Sequence, residues 1–185
     1  MRVEDIVRGQ RSSPPRRIRR LQRRDPTATG GGPASPTGNA DGVRAAVRLS
    51  DEYFLRTVRL IGDLFEGELL TAIVCRAIVA ANVGHLDANP TEGAAYGNID
   101  TPPPDDLRRP VSVLSVSGSL SLPYETTRRH VRKLIAAGLC KVVKGGVIVP
   151  ASALAGRGQE KAMLDNLANL RRLFRGLKKA GVELD

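Results

Sequence analysis

The apolar positions of the chain fall into two long helical stripes, with a shorter amphipathic helix and two β-branched runs between them. After Ser50, the residues Phe54, Val58, Ile61, Phe65 and Leu69 recur at helical spacing, and Ser50-Asp51-Glu52 has the form of an N-cap followed by first-turn acids. From Leu69 to Val83 the segment is apolar on most sides, which predicts a helix buried by its neighbours. Gly67 is where this stretch would kink or divide, and Gly84 is where it would stop. The second stripe, Met163, Leu167, Leu170, Phe174 and Leu177, alternates steps of four and three, the spacing of one helix paired with another. It predicts a helix ending a segment from Ala155 to Ala180. Arg171, Arg172, Arg175, Lys178 and Lys179 in its last turns suit the negative end of a helix dipole. Two partners are open for this stripe: the chain's own first helix or a second subunit.

The stretch from Leu122 to Cys140, LPYETTRRHVRKLIAAGLC, carries signals for both ends of a helix. Pro123 suits a first helical position, and Glu125 sets a carboxylate against the positive end of the dipole. Gly138 suits a left-handed stop, with Leu139 able to fold back on the last turn. Thr127, Val131, Leu134 and Ile135 share one face. At about 100° per residue, Glu125, Thr126, Arg129 and Lys133 point the opposite way, with Arg128, His130 and Arg132 on the flanks. A short helix with one apolar and one strongly basic face is suited to the major groove of DNA.

Ahead of this helix, Ser112 is placed to cap a short one with Val113, Val116, Ser117 and Leu120 on one side. Ser121-Leu122 would be the turn, and Leu122 would lie between the two helices. The run VSVLSVSGSLSL also alternates apolar residues with Ser, which by period reads as a strand, and Gly118 weakens a helix there. The helix is preferred because Val131 and Leu134 need a neighbour to cover them. Behind the basic helix, CKVVKGGVIVP reads as two strands joined through Lys144-Gly145-Gly146, the glycines supplying positive φ angles. In this order of elements, Val111 to Pro150 resembles winged helix-turn-helix transcriptional regulators, of the broad kind that includes the arsenic-repressor and multiple-antibiotic-resistance-regulator families. Thr126, Arg129-His130, Val131, Leu134 and Gly138-Leu139 carry the resemblance, which covers forty of 185 residues. Ser121 stands where those families usually have Gly in the turn, and Ser117 where the preceding helix usually has Ala. The resemblance implies a mostly α fold, a winged helix-turn-helix with long flanking N- and C-terminal helices. It also implies a homodimer formed through those first and C-terminal helices.

Composition adds an organisation to these elements. Residues 1–47 are Arg-rich and then Gly/Pro-rich, and lack the apolar surface that would offset ordering, so they are expected to form a disordered tail. Residues 48–85 would be a long core or dimerisation helix, 86–110 a loop with five Pro, 111–150 the winged helix-turn-helix, and 151–185 the C-terminal amphipathic helix. The net charge is +10, of which residues 1–24 supply +7 with nine Arg against Glu4 and Asp5. The rest of the chain is therefore only mildly basic, and the clustered charge on the central helix is the better pointer to a phosphate-bearing partner. The tail is read either as a nucleic-acid-binding arm or as an upstream start with no role. Cys75 and Cys140 stand far apart, and with His85 and His130 they share no metal-ligand spacing, so no metal or cofactor is expected. The longest apolar run is fifteen residues with Arg76 inside it, too short to span a membrane. A cytoplasmic protein is expected, with no secretory signal at the N-terminus.

These readings rank the functions. A sequence-specific binder of double-stranded DNA leads, with residues 123–137 in the major groove and the wing, 140–150, on the backbone. Glu125, Thr126 and Arg129 would read bases, with Tyr124 beside them. Arg128, Arg132, Lys133, Lys141 and Lys144 would contact phosphate. The second class is a protein-interaction module on the same scaffold without DNA readout. Single-stranded nucleic acid is disfavoured, since Tyr124 alone offers a stacking ring near the basic helix. An enzyme is disfavoured because no nucleophile–base pair, phosphate loop or paired carboxylates are present. An effector pocket between the first and last helices is open, with no residue to nominate it.

Overall fold

Val43–Leu64 forms helix α1 and Leu69–Val83 forms α2, divided where Glu66 and Gly67 turn left-handed, at φ 50° and 87°. The computed structural model describes residues 42–182. Within them follow α3 (Pro90–Ala95), α4 (Val113–Ser119), α5 (Tyr124–Ala136), strands β1 (Lys141–Val143) and β2 (Gly146–Ile148), and α6 (Arg157–Lys179). Single 3-10 turns lie at Leu86–Ala88, Asp105–Leu107 and Ala151–Leu154. The fold is mostly helical, with one small antiparallel sheet.

Three boundaries differ from the sequence reading. The tail expected over 1–47 lies mostly outside the described residues, but 43–47 are helical, and Ser50 sits inside α1 rather than at its start. The cause is tertiary: α6 runs antiparallel beside α1, with Leu49 against Gly176 and Gly42 against Ala180, so helix continues upstream for as long as it has a partner. The single helix expected over 48–85 is two helices, cut at Gly67. The loop expected over 86–110 contains α3, which begins with Pro90 in its first turn and Asn89 Oδ1 accepting from Thr91 N–H at 3.0 Å. That is an N-cap hidden among prolines.

The ambiguous segment before α5 is helical. Ser112 Oγ accepts from Ser115 N–H at 3.0 Å, and Val116 and Ser117 are buried, so capping and burial overrule the period of two. Ser121 adopts φ 52°, and Ser117 Oγ donates to the Leu122 carbonyl at 2.7 Å, tying the turn to the helix before it. Pro123 is the N-cap of α5 rather than its first residue. At the other end, Leu139 N–H reaches the Leu134 carbonyl at 2.9 Å and Gly138 N–H that of Ile135 at 3.0 Å, with Gly138 at φ 71°. This pair of bonds is a Schellman stop.

The hairpin turns through Lys144-Gly145, with Val143 facing Gly146. Gly146 therefore belongs to β2, where it serves a different need from turning. Val111 exchanges two backbone bonds with Val147, at 3.2 and 2.9 Å, and a Cβ on Gly146 would sit 2.3 Å from the Val111 carbonyl oxygen. Only glycine admits that approach.

α2 runs through the middle of the head, and Val74, Ile78, Val116, Val131, Leu134, Cys140, Val147 and Val149 form its core. Near the C-terminal end of α2, the fully buried Asn82 holds the surrounding strands. Its amide nitrogen donates to the carbonyls of Arg109 at 2.7 Å and Val147 at 3.3 Å, and its Oδ1 accepts from Val149 N–H at 3.0 Å. Its own carbonyl accepts from Arg109 N–H at 2.9 Å. α1 and α6 pair along their length as an arm, in which Ile61 and Ala162 are the buried side chains among the described residues. Replacing Asn82 by Leu strands two backbone groups, the buried Val149 N–H and the part-buried Arg109 carbonyl, each costing about 1–3 kcal/mol, while the Val147 carbonyl keeps Val111 N–H. Urea unfolding of Asn82→Leu should therefore show a loss of at least about 2 kcal/mol, and a loss below about 1 kcal/mol would mean that the clamp does not hold the head together.

Candidate nucleic-acid interface

α5 divides its residues as its pattern demands. Thr127, His130, Val131 and Leu134 are buried against the head, while Tyr124, Glu125, Arg129, Arg132 and Lys133 are exposed and Thr126 and Arg128 are half-buried. On the hairpin, Lys141 and Lys144 are exposed. The candidate readers therefore share an uncovered helix surface, but they are not equally free.

Glu125 is bound by Arg128, whose Nε and Nη2 both donate to Oε2, at 2.9 and 2.7 Å. Lys133, expected on the outward face, instead leans onto α2, where its ammonium lies 2.9 Å from Glu68. Lys141 pairs with Asp105 at 2.6 Å, and Asp105 also accepts from Ala151 N–H at 2.7 Å. These contacts hold both carboxyls below the usual range, through Lys133 and then Thr71 for Glu68, and through Lys141 and then the Ala151 amide for Asp105. Exposed pairs of this kind contribute little to stability and yield readily to a phosphate. Arg129, Arg132 and Lys144 have no hydrogen bond or ion pair from their side chains among the described residues, which makes them the cations most available to a partner.

His130, placed on a flank by helical spacing, is buried and makes the polar contact between α5 and α2. Thr71 Oγ1 has one proton, and Glu68 Oε2 at 3.0 Å can only accept it. The same oxygen must therefore accept from His130 Nδ1 at 2.8 Å, which assigns the neutral imidazole its proton on Nδ1. Nε2 is buried without a partner. Burial, then Arg129 and Lys133, push the His130 pKa down, against a smaller pull from Glu68. The signal was in the sequence: Thr71 lies on the apolar helix, where a polar side chain needs a partner. Nothing local showed that the partner was His130.

The two thiols offer no reactive group. Burial pushes Cys75 up to about 11 and Cys140 to about 12, which keeps both as thiols. Among the described residues no three of His, Cys, Asp and Glu converge to hold a metal ion, and no helix is long and apolar enough to cross a membrane. No protein-family model matches the chain, and neither a curated protein nor a solved structure does.

A histidine whose pKa is lower folded than unfolded is protonated first in the unfolded chain. The head should therefore keep its full stability above the ordinary histidine range and lose it as pH falls below about 6.5. His130→Asn, whose amide can replace the Nδ1–H donor, should flatten that decline between pH 7 and 5. An equally steep decline in the variant would place its origin elsewhere.

Proposed function

We propose that this chain is a winged helix-turn-helix protein that binds double-stranded DNA in a sequence-specific manner and regulates transcription. The observation that carries the reading is α5 itself. One face is locked into the head through Thr127, His130, Val131 and Leu134, and the other leaves Arg129 and Arg132 uncovered and unpaired. The order of elements agrees with it: α2, the extended residue Val111, α4, a left-handed turn at Ser121, α5 and a hairpin. Ser121 adopts the backbone conformation for which such turns usually employ glycine. Arg129 reads a base, bidentately where that base is guanine. Arg128, Arg132 and Lys144 bind phosphate, and Lys133 and Lys141 join them by exchanging a carboxylate for a phosphate. Glu125 orients Arg128 rather than reading cytosine.

The protein acts as a homodimer through its arm. The stripes read from the sequence lie largely away from the faces that join α1 to α6, although Ile61 of the first stripe is buried. Phe54 is 62% exposed and Phe174 52%, and Val43, Val47 and Leu167 are also exposed. The contact between the two helices uses Leu49 on Gly176 and Tyr53 on Asn166. Each stripe is turned about 100° from that contact in the same rotational sense, and antiparallel packing brings both stripes to one side of the arm. Large apolar side chains left exposed along one side of a monomer mark an interaction surface, and a second copy offers the same face by two-fold symmetry.

Two measurements test these proposals. Against duplexes selected from genomic fragments, Arg129→Ala should lose about 1–3 kcal/mol on the selected site and little on random DNA. Lys144→Ala should weaken both alike and lower the salt slope by about one unit. A folded Arg129→Ala protein with wild-type affinity for both duplexes would leave an interaction module without DNA readout. Sedimentation at micromolar concentration should give twice the chain mass of 19.8 kDa, and Phe174→Glu should shift it toward the monomer. Wild-type protein sedimenting only as a monomer would remove the dimer.

A further inference from the structure

A cleft of about 1100 Å³ opens between the head and the base of the arm. Its walls are largely apolar, with Val79 and Val83 from α2, Tyr96 from the segment after α3, and Met163, Leu164 and Leu167 from α6. Arg108 forms part of the same wall, and its side chain is completely buried. Nη2 donates to the Pro103 carbonyl at 2.9 Å, while Nε and Nη1 have no hydrogen-bond partner. Its nearest carboxylate, Asp105, is 3.6 Å from Nε and already serves Lys141 and the Ala151 amide. One carboxylate is thus shared by two cations, and a buried guanidinium is left with two unused donors. Such a charge is costly unless an anion meets it.

We propose that this cleft binds a small amphipathic monocarboxylate, its apolar body between α2 and α6 and its carboxylate on Arg108. The carboxylate reaches Nη1 by a small outward shift of the Pro103 segment, whose carbonyl holds Nη2. A single negative charge is specified. Asp100 and Glu160 also line the cleft and are exposed, so a doubly charged head group is repelled while one carboxylate at Arg108 is neutralised. The apolar lining excludes small hydrophilic anions in the same way. The site was missed in the sequence because its residues come from four separate segments, and Tyr96 and Arg108 stand in a stretch read as a loop. The proposal stands apart from the DNA reading.

The test is binding of octanoate to the full chain, by calorimetry and thermal shift, beside octanol, octylammonium and octyl phosphate. Octanoate should bind saturably and raise the midpoint, and the three analogues should bind at least tenfold more weakly. Arg108→Met, which keeps the apolar stem and removes the charge, should bring octanoate down to the level of octanol. Leu164→Trp, a change at a half-exposed position that fills the cleft, should lose octanoate binding at least tenfold with Arg108 intact, and it decides the matter if Arg108→Met does not fold. No octanoate binding, equal binding of octanol or octylammonium, or full binding by Leu164→Trp would overturn the proposal.

Discussion

One buried carboxamide holds the head together. Asn82 lies on the helix that every other part of the head packs against, and it joins β2 and the Arg109 segment through four hydrogen bonds. The sheet is too small to be stable alone, since two strands of three residues are marginal in water. Its third member is a single bridge at Val111. The amide of Asn82 supplies what the missing ladder would have supplied, and it fixes the hairpin relative to α2. Because α5 is fixed to the same helix through His130 and Thr71, the orientation of the basic face against the hairpin is set by two polar contacts within one apolar core.

Those contacts give α2 a role that its composition hides. Apolar burial is non-directional and would tolerate small rotations of α5. A neutral imidazole donating to a hydroxyl that itself donates to Glu68 tolerates far less. Lys133 closes this chain of contacts at the surface. A residue read as a phosphate ligand is thus partly a positioning residue, and the same is true of Glu125, whose carboxylate holds Arg128.

The central helix was legible because everything that makes it is local. Glu125, the apolar face through Val131 and Leu134, and the Gly138-Leu139 stop lie within fifteen residues, and each acts through its own turn. The short helix from Val113 was decided only by a tertiary argument, since its alternating pattern pointed to a strand. The arm was legible as two helices, with their pairing one of two open readings and the contacting faces not legible. Hydrophobic periodicity finds the face with large side chains, whereas α1 and α6 meet where side chains are small, at Gly176 and Ala162. Pairings between distant residues, such as Lys133 with Glu68 and Lys141 with Asp105, leave no trace in a sequence taken alone. Asn82 was within reach, because an amide inside LLTAIVCRAIVAANV has to find partners, although nothing said which ones.

The uneven burial of the arm gives the molecule no single strength. Among the described side chains of α1 and α6, the two that are buried, Ile61 and Ala162, both lie at the end next to the head. Beyond them the helices are held by half-buried contacts, by an open Tyr53–Asn166 bond at 3.3 Å and by intrinsic helix propensity, which is weak over such lengths. Local opening therefore begins at Gly42 and Ala180 and runs inward, reaching the head only when the core gives way. The arm behaves as a fraying zipper pinned at one end, and how far it is closed at a given moment sets how much apolar face is available to be covered.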